Sequence, residues 1–170
     1  MKEKQSIFDL SDEDIKKLDN EFMEGYNEKL KVDYVSDYNL EYAYNTDSGF
    51  DLRSDETFVL GSLDRKLTST TTKIDIPKGY ELQIRPKSGL AIKKGLSVLN
   101  TPGTVDNSYT GEIKIILVNL SNEEIKINKG DKIAQGVFCK VIQGHELDFI
   151  KKDNIKEKDR GENGFGSTGN

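Results

Sequence analysis

From about residue 31 onward the apolar residues fall into short alternating runs, each closed by turn residues, and this pattern constrains the fold more than any other feature of the chain. The runs are KVDYV, TFVL, TKIDI, GYELQI, LSVL, GEIKIILVNL, EEIKI and DKIAQGVFCKVI, with the turn signals IPKGY, LNTPGT and INKGD among them. Short strands at this spacing predict an all-β sandwich or barrel. In the last run, Ile133, Gln135, Val137, Cys139 and Val141 share one face by period-two geometry. A polar Gln135 on a mostly apolar face needs a reason. No internal repeat is evident.

The flanks read differently. Ser11 precedes an acidic first turn, with Asp14 three residues on, and Ile15, Leu18, Phe22, Tyr26 and Leu30 recur at helical spacing. This predicts an amphipathic helix over 11–30, docked on its own domain, on a sister subunit or on a partner protein. After residue 145 the segment HELDFIKKDNIKEKDR is strongly charged and has little periodicity, which reads as a tether. The expected division is a helical extension over 1–30, a β core over 31–145, and a tether with a terminal motif over 146–170.

Composition narrows the functions open to such a fold. One well-buried core fits 170 residues, but 34% hydrophobic and 32% charged residues leave that core economical or completed by neighbouring subunits. A net charge of −5 argues against a surface that tracks a nucleic-acid backbone, whereas a small anionic ligand held by local donors is compatible with it. Cys139 is the only cysteine and His145 the only histidine. These counts exclude an intrachain disulfide and a cysteine-based zinc cage, and they remove a Ser-His-Asp triad and most transition-metal sites, each of which needs an imidazole where His145 alone must serve. The opening MKEKQSIFDLSDED has no apolar signal region and no run approaches membrane-spanning length, so a reducing cytosol is the expected compartment, without membrane contact.

The P-loop pattern is absent, and no Gly-x-Gly-x-x-Gly follows a strand and opens a helix. Five other segments join glycine to polar or charged side chains: SGFDLRS (48–54), RPKSGLA (85–91), TPGTVDNSYTGE (101–112), GDKIAQ (130–135) and RGENGFGSTG (160–169). Backbone amides in such turns are able to cradle phosphate oxygens.

In this order and at these spacings the five segments resemble the motifs of the trimeric dUTP pyrophosphatase (dUTPase) family, over roughly residues 31–170. The resemblance implies a distorted jelly-roll-like β subunit, a homotrimer with sites at subunit interfaces, and Mg²⁺-dependent cleavage of dUTP to dUMP and pyrophosphate. The 101–112 hairpin would receive the nucleoside: its backbone at Thr104 and Val105 reads uracil, Asn100 helps to hold the base, and Tyr109 packs against the deoxyribose where a 2′-hydroxyl would clash. Asp106 matches the aspartate that activates the attacking water, a task for a carboxylate ionised at neutral pH.

By the same resemblance Lys87, Ser88 and Gly89 serve the phosphates, Lys87 standing where arginine is common. Gln135 donates to an α-phosphate oxygen, which supplies its missing reason. Arg85 supports the loop or touches ligand, Lys114 lies along the nucleotide, and Asp51 braces the site or anchors metal-bound waters. No direct protein ligand to Mg²⁺ is expected, since triphosphate oxygens and waters complete its octahedron. Arg160 reaches the γ-phosphate, Phe165 closes over the uracil, and Gly166, Ser167 and Thr168 offer donors. Ser108 departs from the pattern, because many members carry a second acidic residue there. Two alternatives accompany this reading: a regulatory protein on the same scaffold, acting through its N-terminal helix, and a dCTP deaminase.

Overall fold

The computed structural model describes Ser11, Glu13 and residues 29–162. Among the described residues, eleven strands, one short α-helix and a 3-10 helix (Gly144–Glu146) have defined bounds. The strands and the α-helix are β1 (Tyr34–Val35), β2 (Phe50–Arg53), β3 (Phe58–Leu60), β4 (Arg65–Ser69), β5 (Lys73–Ile74), β6 (Tyr80–Arg85), α1 (Ser88–Lys94), β7 (Leu96–Val98), β8 (Gly103–Val105), β9 (Lys114–Asn119), β10 (Ile125–Ile127) and β11 (Lys132–Lys140). The helix expected over 11–30 lies almost wholly outside the described residues. The all-β expectation for the core matches the observed architecture, in which α1 was not foreseen.

Every strand pair is antiparallel. One sheet has the order β2-β11-β6-β8 and a second the order β4-β9-β7, with the pairs β3/β10 and β1/β5 completing the framework. Alternation explains what each strand buries. In β2, Phe50 and Leu52 point inward while Asp51 and Arg53 do not. In β6, Leu82 and Ile84 point inward while Gln83 and Arg85 do not. Leu52, Leu82 and Ile84 join Leu96, Val98, Ile115, Leu117, Ile125 and Ile127 in one core cluster. Full burial of each such side chain contributes about 1.5–3 kcal/mol, so this cluster dominates the stability of the β framework.

Strand β11 departs from strict alternation. Its register moves from Lys132↔Arg53 directly to Ala134↔Leu52, so Ile133 is an extra, unpaired residue. Ile133 and Ala134 both lie in the core as a result. The single face expected for Ile133, Gln135, Val137 and Cys139 therefore splits. Ile133 turns inward, and Gln135 is aimed out of the core beside the partners described next.

Candidate active site

Gln135 pairs with Asp51 on one side and with Arg85 on the other. Directly opposed residues of antiparallel strands project from the same face, so the three side chains form a row across β2, β11 and β6. The chain leaves β6 through Pro86, whose carbonyl accepts the Gln135 Nε2 proton at 3.0 Å. Lys87 follows, and its Nζ forms an ion pair with Asp51 Oδ1. Lys132 Nζ meets the other oxygen, Oδ2, at 2.5 Å.

Asp51 is only 15% exposed. Burial pushes its pKa up, but the hydrogen bonds and charges of Lys132 and Lys87 outweigh that and hold it below the usual carboxylate range. The trio Asp51, Lys87 and Lys132 thus carries one net positive charge in a fixed arrangement, a suitable receptor for a polyanion. Ser88 and Gly89 begin α1, where amides have no acceptor within the helix. A Cβ on Gly89 would meet nothing within 4 Å, so ligand has open access to that backbone. Lys132 was not singled out from the sequence; it sits in GDKIAQ, and only the pairing of β11 with β2 discloses its role.

Arg85 is occupied within its own sheet. Its Nε and Nη2 donate to Gln83 Oε1 at 3.0 and 2.6 Å, and Nη2 lies 3.5 Å from Cys139 Sγ. These contacts hold the guanidinium against β6 and β11.

The second group of site residues lies on β8 and the turn beyond it. β8 pairs with β6 through Val105↔Leu82, Thr104↔Gln83 and Gly103↔Ile84. Asn100 leads into β8 and is exposed, and Lys114 is exposed at the start of β9. Asp106 follows Val105, exposed, and its carbonyl accepts the Tyr109 N–H at 3.0 Å. Tyr109 is 47% exposed and its hydroxyl donates to the Glu112 carbonyl at 2.9 Å. A cavity of about 680 Å³ opens beside Asp106, walled by Asn107, Ser108, Tyr80 and the chain after β11, including His145. Gln143 Nε2 bonds Asn107 Oδ1 at 2.9 Å and ties that wall to the hairpin. Arg160 lies in the exposed stretch after β11, and Phe165, Gly166, Ser167 and Thr168 lie outside the described residues.

The sheet keeps the two groups apart. Continuing the β8/β6 register, Asp106 falls level with Glu81, four residues from Arg85, a distance of about 13 Å along the strand. Asp106 also stands two strands from Gln135, a further displacement of about 10 Å across the sheet. Within one protomer Asp106 is therefore about 16 Å from Gln135, strand position to strand position.

The dUTPase family model matches residues 38–169. The chain belongs to the dUTPase family. The deoxyuridine 5'-triphosphate nucleotidohydrolase of Nautilia profundicola is 46% identical over 143 residues, covering 83% of this chain and 99% of that protein. The enzyme of the same description from Clostridium novyi is 50% identical over 127 residues, 75% of this chain and 87% of its own. In the solved structures, the dUTPase of Staphylococcus bacteriophage 80alpha bound to dUPNHPP has the same fold, with a TM-score of 0.75, 23% identity, and coverage of 83% of this chain and 99% of the phage chain. All five glycine-containing segments of this dUTPase-family chain lie within the matched region, and residues 1–37 precede it.

Proposed function

We propose that the protein hydrolyses dUTP to dUMP and pyrophosphate, as a cytoplasmic homotrimer of jelly-roll-like subunits whose sites form between protomers. The observation that carries this reading is the separation of the exposed Asp106 from Gln135, which shares a row with Asp51 and its two lysines. A water cannot rest on Asp106 and attack a phosphorus held by Gln135 about 16 Å away, since each contact needs roughly 3 Å. A second protomer supplies the missing half, its cation cluster facing the first protomer's hairpin. The tail from Arg160 onward closes the site.

In that assembly the backbone at Thr104 and Val105, with Asn100, reads the uracil edge; cytosine would leave a polar group unmatched, at a cost of about 1–3 kcal/mol. Tyr109 takes the face of the deoxyribose, and Phe165 covers the base. Asp106 accepts a proton from water as the water oxygen bonds to the α-phosphorus. The bond from that phosphorus to the bridging oxygen breaks, and pyrophosphate leaves with the electron pair. Gln135 donates to the α-phosphate, while Lys87 and Ser88, with the amides after them, stabilise the charge that grows on the leaving group.

Among the described residues no three carboxylate, imidazole or thiol groups converge to cage a metal. Asp51, committed to two lysines, together with an isolated Asp106, fits a Mg²⁺ that enters on the triphosphate oxygens. Bound there, the ion would neutralise phosphate charge. The product serves as precursor for thymidylate, and removal of dUTP keeps uracil out of DNA.

Turnover of dUTP by wild type and Asp106→Asn tests the reading. A loss of about 100-fold or more in pyrophosphate release, with the oligomer intact, is the expected result. Equal rates would sink it, and ammonia in place of pyrophosphate would mark a deaminase. Because residues 1–37 precede the matched family region, a protein partner for the N-terminal segment is a second, compatible role. Deleting residues 1–30 should then abolish capture of that partner and leave turnover unchanged.

A further inference from the structure

The end of β4 and the loop to β5 form a run of hydroxyl residues, Ser69 to Thr72, which grips the base of the nucleoside hairpin at Glu112 and Ile113. Ser69 Oγ donates to Glu112 Oε1, and the Thr71 amide donates to the same oxygen at 2.8 Å. Thr71 has φ of 56°, a left-handed conformation that is costly for a β-branched residue and persists only where its surroundings over-determine it. Those surroundings are the Glu112 carboxylate and the Asp37 N–H, which donates to Thr71 Oγ1 at 3.1 Å. The next residue of the hairpin is pinned as well. Thr70 Oγ1 donates to the Ile113 carbonyl at 2.6 Å, and the Ile113 amide donates to the Thr72 carbonyl at 2.8 Å.

On its other side Glu112 faces the sugar-binding tyrosine. Its carbonyl accepts the Tyr109 hydroxyl at 2.9 Å. The ring lies across Gly111 so closely that a Cβ there would stand 2.6 Å from Tyr109 Cζ and Oη. One residue therefore has its side chain bolted to the β4–β5 loop and its carbonyl holding the tyrosine. The Ser69 hydrogen bond, reinforced by the Thr71 amide and the Lys114 charge, outweighs burial and keeps the Glu112 carboxyl below its ordinary value, so the anchor is charged at neutral pH.

We propose that Glu112 is the positioning residue of the hairpin: its carboxylate, clasped by Ser69 and Thr71, fixes the Tyr109 ring and thereby sets the preference for deoxyribonucleotide over ribonucleotide. This rests on the reading that Tyr109 packs against the sugar. Without the clasp the hairpin pivots at residue 112, the ring loses its fixed height over Gly111, and a 2′-hydroxyl gains room. The effect falls on discrimination more than on the chemical step, because Asp106 directly follows the last residue of β8, Val105, and precedes the pivoting segment.

The test compares kcat/KM for dUTP and for UTP, with melting temperature, in the full-length enzyme. Glu112→Ala should lower the dUTP-to-UTP ratio by about tenfold, with the dUTP loss mainly in KM, whereas Glu112→Gln keeps an oxygen acceptor and should stay within about threefold. A ratio preserved in Glu112→Ala, or a Gln variant as impaired as the Ala variant, would overturn the inference. Should Glu112→Ala fail to fold, Ser69→Ala removes one donor from the clasp and is read by the same ratio, with an unchanged ratio again decisive against it. Tyr109→Ala separates the two layers of argument. If it leaves the ratio intact, the sugar-packing reading fails; if it collapses the ratio while Glu112→Ala does not, only the role of Glu112 fails.

Discussion

Asp51 and Gln135 face each other across the β2–β11 ladder, and between them they hold the segment that leaves β6. Gln135 takes the Pro86 carbonyl and Asp51 takes the Lys87 ammonium, so two consecutive residues are tethered from two strands. The placement of the Lys87 ammonium is thus a product of sheet register and not of a freely moving side chain.

Removing the carboxylate should release that arrangement. In Asp51→Ala, Lys87 and Lys132 lose their common partner and repel each other. The expected result is a fall in kcat/KM for dUTP of about 10- to 100-fold, with KM raised, because charge-assisted hydrogen bonds to a half-buried partner are lost. Asp51→Asn keeps an acceptor and should fall less. Steady-state kinetics on both variants checks the order, and a KM unchanged in Asp51→Ala would show that the lysines position themselves.

Strand alternation made most of the β core readable in advance, and the motif strings picked out Asp51, Lys87, Asp106, Tyr109 and Gln135. Lys132 and Glu112 stayed hidden for one physical reason. Their roles arise from partners far along the chain, such as the Ser69–Glu112 contact across 43 residues, and no local period encodes a long-range register. The bulge at Ile133 was hidden because a period-two reading has no place for an extra residue. The gap of about 16 Å between Asp106 and Gln135 was equally invisible, since it depends on which strands lie between β8 and β11.

Gly136 is fixed by packing. A Cβ there would stand 2.6 Å from Phe50 Cζ, and that ring is wedged between Tyr42 and Phe138, each with a centroid 5.9 Å away. Gly136→Ala should destabilise the fold by about 1–3 kcal/mol through overpacking next to Gln135. Denaturant melts measure it, and a midpoint equal to wild type would mean that the Phe50 ring shifts without resistance.

Acid should loosen the same framework. Asp51, Glu56 and Glu112 are all held below their ordinary values, 3.8 for the aspartate and 4.5 for the glutamates. A carboxylate lowered on folding contributes stability above its unfolded-chain value and loses it as pH falls through the folded-state value. For Glu112 this contribution is complete near neutral pH and fades below 4.5. Glu112→Gln should therefore melt below wild type at neutral pH, with the gap closing as the solution is acidified past that point. A gap that stays constant over the same range would show that the charge of Glu112 contributes nothing to stability.

The stretch after β11 separates stability from catalysis. Residues 146–162 are exposed throughout, Phe149 to 92%, and none belongs to the hydrophobic core. Removing everything after Asp159 takes away Arg160 and the Phe165–Thr168 segment, while the paired strands and their core remain. The midpoint of unfolding should move by no more than about 0.5 kcal/mol, the usual scale for changes away from buried features. On the proposed role of this segment in closing the site and donating to the phosphates, turnover should fall by about 100-fold or more. A loss of stability matching the loss of rate would assign the tail to the fold, and an unchanged rate would remove it from the site altogether.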